Sequence, residues 1–269
     1  MRKDGKRIRC RKPFFEIIPY MVSRRTDAQV SITQEIDAEA MREYIAEKRG
    51  EGAEISYLSL FITAFFKTAL EYEQLNDFVV NKKIYRRSHF CVSLITQRSD
   101  SGGKCVEQTV SKLLLEPEDD LCSISRKIRD AAGEDRERTP SGDMDKMLGR
   151  WMHFPGPTGL TVGMVRLLDR YGLLPRKVLD ASPFHTSLFV TDRTHGHFSR
   201  SVRANRFVRA NRSFAPIAPP LYEFGTAGIS AAIGPSEKRI VFQRGGHLKE
   251  KIMLPVGVLF DTRIASVQY

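Results

Sequence analysis

Leu259-Phe260-Asp261-Thr262-Arg263-Ile264-Ala265-Ser266-Val267-Gln268-Tyr269 ends the chain, and its reading decides the fold. The residues leading into it, Lys251 to Phe260, read as an apolar strand that runs directly into the step Asp261-Thr262-Arg263. Working back, strand patterns recur at Arg239 to Gln243, Thr226 to Ile233 and Thr186 to Thr191. Near the N-terminus Val30, Ile32 and Ile36 share one face of a period-two pattern, the mark of a half-buried strand. Asp37 then predicts an N-cap for a helix carrying Met41, Tyr44, Ile45 and Lys48, ended by Gly50 and Gly52.

Between these ends the chain is mainly helical. Ile55 to Tyr72 predicts a buried helix with Leu58, Phe61, Ile62, Phe65, Phe66 and Ala69 in one wide apolar stripe. Phe78 to Tyr85 reads as a hairpin turning at Asn81-Lys82, and Phe90, Val92 and Leu94 continue as strand. Val106 to Leu115 is a further strand, and Pro117 to Ala132 a helix by Leu121, Ile124 and Ile128. Gly133 to Asp145 is polar and reads as a loop. Met147 to Leu179 is mostly helical, punctuated by Pro155, Pro157 and Pro175. Strands at both ends, helices between them and no regular alternation of the two argue for α+β.

These segments, in this order, resemble a known family: the acyltransferase component of the 2-oxoacid dehydrogenases, whose fold chloramphenicol acetyltransferase shares. The likeness spans roughly Ile17 to Ile264. Pro19-Tyr20-Met21 through Asp37 resembles the family's first strand. Ile55 to Leu70 with Glu73-Gln74-Leu75-Asn76 resembles its long helix and the Pro-Glu-Leu-Asn turn. Val79 to Tyr85 and His89 to Thr96 resemble the following hairpin and strand. Phe189-Val190-Thr191-Asp192 sits where the family reads Thr-Ile-Ser-Asn, and Leu221 to Ile233-Gly234 resembles its penultimate segment. The pattern is also similar to stand-alone homologues with Met-Pro-Tyr-like and Ser-Pro-Phe-His-Thr-Ser segments, in which the motif His is often replaced.

The resemblance implies a two-layer sandwich with a mixed sheet, assembled as a homotrimer. It implies an acyl-CoA donor, a small thiol or hydroxyl acceptor, and a CoA channel between subunits, with no covalently bound cofactor. In the family the last strand ends in Asp-His-Arg-x-x-Asp-Gly, and that His deprotonates the acceptor. Here Thr262 takes the His position, Ser266 the second Asp and Val267 the Gly. Asp261 and Arg263 are implied to be architectural, an ion pair ordering the strand. Thr191 takes the place of the family's oxyanion-donating Ser, although a Thr in a buried strand also serves simply as a β-former. Losing a general base costs roughly 10²–10⁴ in rate, and a hydroxyl with no useful pKa near neutrality does not replace imidazole. The expectation is an acyltransferase-family protein with weak or no imidazole-driven transfer. The alternative is a non-catalytic trimeric scaffold or CoA-binding protein.

Other histidines offer no substitute base. His185, in Ser182-Pro183-Phe184-His185-Thr186-Ser187, shares a face with Thr191 on an extended strand but lies about 20 Å away along it. It reads as a capping or packing residue. His195-Gly196-His197 reads as loop, His247 and His153 as structural, and His89 as the start of a strand. No metal site is predicted. Gly102-Gly103 and Gly245-Gly246 read as hairpin turns rather than phosphate loops.

Composition sets outer bounds. The 269 residues suffice for a sizeable core, and 41% hydrophobic with 28% charged is ordinary for a globular protein. The longest apolar run, around Leu58 to Phe66, is too short for a membrane span. No apolar stretch of signal-peptide length follows the basic start, so the cytoplasm is expected. Cys10, Cys91, Cys105 and Cys122 have no metal or disulfide spacing and are expected to be reduced. Residues 1–16 read as a basic extension and 17–269 as the acyltransferase-like domain. The family's C-terminal helix is expected to be missing.

The net charge of +11 is concentrated in residues 193–214, an Arg-rich insertion. Arg193, Arg200, Arg203, Arg206, Arg209 and Arg212 occur there without an acidic residue. A three-residue period aligns side chains on a polyproline-II or 3₁₀ path, and such a strip could hold phosphates. With only Phe198, Phe207 and Phe214 for stacking, a solvated loop made by a short duplication is the simpler reading, and nucleic acid is not the expected partner.

Overall fold

A computed structural model describes residues 2–9, 13–99, 106–137, 158–194, 216–242 and 248–264. It is an α+β two-layer sandwich built on a seven-stranded mixed sheet. The strands of that sheet are β2 (Gln29–Asp37), β5 (Phe90–Ser99), β6 (Val106–Leu115), β7 (Leu188–Asp192), β8 (Ile229–Ile233), β9 (Glu237–Phe242) and β10 (Leu248–Asp261). Their order is β2-β10-β8-β7-β5-β6, with β9 beside the first half of β10. β7 runs parallel to both β5 and β8, and the other pairings are antiparallel. A second sheet joins β1 (Gly5–Arg7), β4 (Lys83–Arg87) and β3 (Asp77–Val80).

The helix layer covers one face of the large sheet. α3 (Tyr57–Glu71) starts at a reciprocal cap, in which the Ser56 hydroxyl accepts from the Ser59 N–H and the Ser59 hydroxyl accepts from the Ser56 N–H. Leu58, Ile62, Phe66 and Ala69 recur at helical spacing and are all buried. α4 (Leu121–Glu137) adds Ile124 and Ile128. Against them lie Val92, Leu94, Leu188, Val190, Ile229, Ala231, Ile233, Leu254 and Val256. α1 (Pro13–Met21), α2 (Glu39–Gly50), α5 (Thr158–Tyr171) and α6 (Arg176–Ala181) complete the described helices. None is long and apolar enough to cross a membrane.

The opposite sheet face carries Phe189, Thr191, Ser230 and Ala232, in register across β7 and β8. Irregular chain covers it very closely. A Cβ on Gly257 would lie 1.9 Å from the Pro216 carbonyl oxygen, so only glycine lets this segment approach the strand.

Several boundaries differ from the sequence reading, each for a bonding reason. Ala38, not Asp37, occupies the cap of α2, although the Asp37 carboxylate still accepts from the Glu39 N–H at 3.1 Å. Pro19-Tyr20-Met21 lies in α1 rather than leading into a strand. The helix expected from Pro117 begins at Leu121, where the Asp120 carboxylate accepts from the Ser123 N–H, and it runs on through Gly133 to Glu137. β7 begins at Leu188 because Thr186 and Ser187 are bonded irregularly to Cys91 instead. β10 begins at Leu248, since β9 pairs with it from that residue. The Asn81-Lys82 turn holds, with φ of 49° and 60°, the positive values a tight hairpin needs. Ile32 on β2 is 38% exposed, so that edge strand is less covered than its pattern suggests.

Residues of the basic N-terminal stretch are built into the body. Gly5–Arg7 pairs with Tyr85–Arg87, and Arg2 and Asp4 are buried. Most of the Arg-rich stretch (195–215), the residues around Gly102-Gly103 and Gly245-Gly246, and 138–157 lie outside the described residues.

Candidate functional site

The end of β10 is held by a buried charge cluster. Arg263 Nε and Nη2 donate to the two Asp261 carboxylate oxygens at 2.9 and 2.6 Å. Asp261 is 1% exposed and also faces Arg25 Nε at 3.7 Å. Arg25 donates to the carbonyls of Tyr222, Gly225 and Val79, which ties the strand end to β3 and to the segment before β8. Burial lowers the Arg25 guanidinium pKa, partly opposed by Asp261. Two arginines around one carboxylate form a closed unit, and its hydrogen bonds support an architectural role. The sequence reading paired Asp261 with Arg263 but missed Arg25, which no local pattern marks.

Thr262 sits in the turn that follows. Its N–H and its hydroxyl both donate to the Ala28 carbonyl, at 3.0 and 2.9 Å. A hydroxyl committed to a carbonyl acceptor anchors the turn and offers no base. Ser266 lies outside the described residues.

Thr191 is 2% exposed, and its Oγ1 has no hydrogen-bond partner among the described residues. The Ser230 hydroxyl, on the same sheet face, is likewise without one. A buried hydroxyl without a partner costs free energy, so each carries a donor left unspent among the described residues. Thr191 is not brought together with Thr262. Thr191 pairs with Ala232, and Ala232 pairs with Gly257. From Gly257 to Thr262 is roughly 16 Å along the strand, and the two strand spacings add about 10 Å sideways. Within one chain the two hydroxyls cannot act on the same bond.

A second polar cluster was not legible in the sequence. Arg2 binds Asp4 through two hydrogen bonds of 2.8 Å and donates to the Asp169 carboxylate at 2.9 Å. His185 Nε2 lies 3.1 Å from that same Asp169 oxygen, off hydrogen-bond alignment, and its Nδ1 is 2.8 Å from the Ser182 hydroxyl. Burial lowers the His185 pKa, against the opposing pull of Asp169. Burial acts to raise the Asp169 carboxyl, but His185 and Arg2 outweigh it and hold it below the usual carboxylate range. Although Ser182, His185 and Asp169 make a hydroxyl–imidazole–carboxylate chain, Ser182 is 0% exposed. It is therefore sealed from substrate. His185 is a packing histidine, with its ring edge-on to Phe224.

His89 is half-buried beside Arg87, and burial lowers its pKa. Cys91 and Cys122 are free thiols, Cys91 buried. His153, His195, His197, His247, Cys10 and Cys105 lie outside the described residues.

No family model matches the sequence, and no curated protein matches it. Solved structures do match in fold. A probable dihydrolipoamide acetyltransferase from Listeria monocytogenes is 16% identical, with a TM-score of 0.55, covering 98% of this chain and 88% of that one. A chloramphenicol acetyltransferase is 10% identical, with a TM-score of 0.54, covering 100% and 94%. The cubic core of a pyruvate dehydrogenase multienzyme complex is 10% identical, with a TM-score of 0.51, covering 94% and 79%. The chain therefore has the fold of the chloramphenicol acetyltransferase-like acyltransferase domains, as the resemblance implies.

Proposed function

We propose that the protein binds CoA or an acyl-CoA on an acyltransferase scaffold and does not carry out imidazole-driven acyl transfer. The observation that carries this reading is Thr262: at the strand end where the fold's base belongs, its N–H and hydroxyl are both spent on Ala28 O. Acyl transfer from a thioester needs a base for the acceptor and a donor for the developing oxyanion. The buried, unpartnered Thr191 hydroxyl can supply the donor. No described imidazole lies at the base position.

The reading extends to assembly. Thr191 and the end of β10 lie too far apart in one chain, so a site using both forms only where the Thr191 region of one copy meets the β10 end of another. α1 presents Phe14 (67% exposed) and Met21 (75%), and α5 presents Leu160 (72%). Apolar surface of this kind suits burial against further copies of the chain. A homotrimer, the arrangement the resemblance implies, follows as part of the proposal, and a cytoplasmic location is proposed with it.

Calorimetry with CoA tests the reading. Saturable binding that Thr191→Ala leaves measurable, with a trimer mass by light scattering, supports it. Absence of CoA binding by a well-folded trimer overturns the ligand and leaves the scaffold alternative.

A further inference from the structure

Away from Thr191 and Thr262, a polar cleft lies between the N-terminal segment, the end of β4, β6 and α6. Lys3, Arg87, Lys112 and Arg176 supply four cationic side chains to its lining. Its carboxylates are Asp4 and Asp180, each already paired with an arginine, and His89 and His185 complete its polar lining. Asp4 is bound by Arg2, which does not line the cleft, and Asp180 lies 3.9 Å from Arg176 in an exposed pair.

Arg87 is buried and Lys112 half-buried, and among the described residues neither has a carboxylate within ion-pair distance, although Asp4 attracts both from farther off. Arg87 is 5% exposed and donates through Nη2 to Thr186 O, Thr226 O and the Thr226 hydroxyl, while its Nε has no partner among the described residues. Its guanidinium also lies 4.7 Å from the Phe78 ring centroid. Lys112 Nζ donates to the carbonyls of Leu179 and Ser182. Carbonyls and a ring face attract a cation but do not neutralise it. Burial accordingly pushes the Arg87 guanidinium down to about 10 and lowers the Lys112 ammonium. Buried charges of one sign are normally paired or bound to a ligand.

We propose that this cleft binds a small oxyanion, inorganic phosphate or the phosphate of an ester, with the Arg87 Nε as the donor at its floor. The volume of the cleft is about 10 Å³, room for one water-sized group. One oxygen of the anion therefore enters, and the rest stays at the mouth between Lys3 and Arg176, both exposed. Charge-assisted hydrogen bonds from the buried guanidinium and the half-buried ammonium supply the affinity. The site is independent of the proposed acyl-CoA reading.

Equilibrium dialysis of the full chain with radiolabelled phosphate, at constant ionic strength, tests the site. Saturable binding near one equivalent per chain is expected. The double variant Lys3→Ala/Arg176→Ala, which alters only exposed side chains, weakens it on the order of tenfold. Arg87→Lys keeps the charge, removes the Nε donor and gives a similar loss. No saturable binding, or binding unchanged in both variants, overturns the proposal. If CoA competes with phosphate, the occupant is an ester phosphate; if CoA binds without displacing it, the occupant is a free oxyanion. Phosphate binding by a chain that fails to bind CoA supports this site and counts only against the proposed function.

Discussion

The end of β10 and the His185 cluster are both buried networks built around an Asp, and they differ in what each Asp holds. Asp261 is gripped by Arg25 and Arg263, two permanent cations that tie chain segments together. Asp169 is shared between Arg2 and an imidazole that can change charge. The first lies at the strand end for which the proposed function invokes a missing base, and its described side chains are spent on tying chain segments together. The second has the titratable groups, but its hydroxyl, Ser182, is fully buried, and Asp4 and His185 reach only the wall of the small polar cleft. Burial of a hydroxyl, an imidazole and a carboxylate in one chain is thus not enough to make an active site. Access and placement decide.

The comparison can be broken most severely at Asp261. Asp261→Asn leaves Arg25 and Arg263 buried beside a neutral amide, and the expected loss is about 3–5 kcal/mol, read by urea unfolding. A loss under about 1 kcal/mol would show that water already reaches the cluster. Arg2→Met probes the other network: it strands Asp4 and Asp169 and should cost about 3 kcal/mol, with increased amide exchange in Gly5–Arg7. Equal stability with and without Arg2 would mean the N-terminal strand is not held by charge.

His185 gives the next effect through pH. Its folded pKa is depressed below the ordinary 6.5 by burial, while Asp169, Asp4, Arg87 and Ser182 act on it. Protonation is easier in the unfolded chain, so this contribution is intact above about pH 6.5 and declines as the pH falls below it. The slope is at most about 1.4 kcal/mol per pH unit. His185→Gln should flatten stability over that interval in a series of denaturant titrations. An unchanged slope would contradict a neutral, buried imidazole. The smallest effect belongs to Thr262→Val, which removes one hydroxyl bond to Ala28 O and should cost about 1 kcal/mol.

How much of this was legible in the sequence follows from the range of the forces involved. α3 could be read because Leu58, Ile62, Phe66 and Ala69 repeat at the helical period, and β10 because its apolar run closes in Asp261-Thr262-Arg263. Those signals are local. Arg2 meets Asp169 across 167 positions, and Thr262 meets Ala28 across 234, with nothing in either neighbourhood to mark the partner. Boundaries moved where irregular bonds outcompeted strand pairing, as at Thr186 and Ser187. Thr191 could be singled out by resemblance, but its missing hydrogen-bond partner shows only in three dimensions.

The most direct measurement is the rate of acetyl transfer from acetyl-CoA to dihydrolipoamide by the purified full chain, beside its Thr191→Ala variant. A scaffold without a placed imidazole gives both proteins the rate of buffer alone. Sustained turnover that collapses in the variant would mean that a base does reach the acceptor at a site completed by the Thr191 hydroxyl.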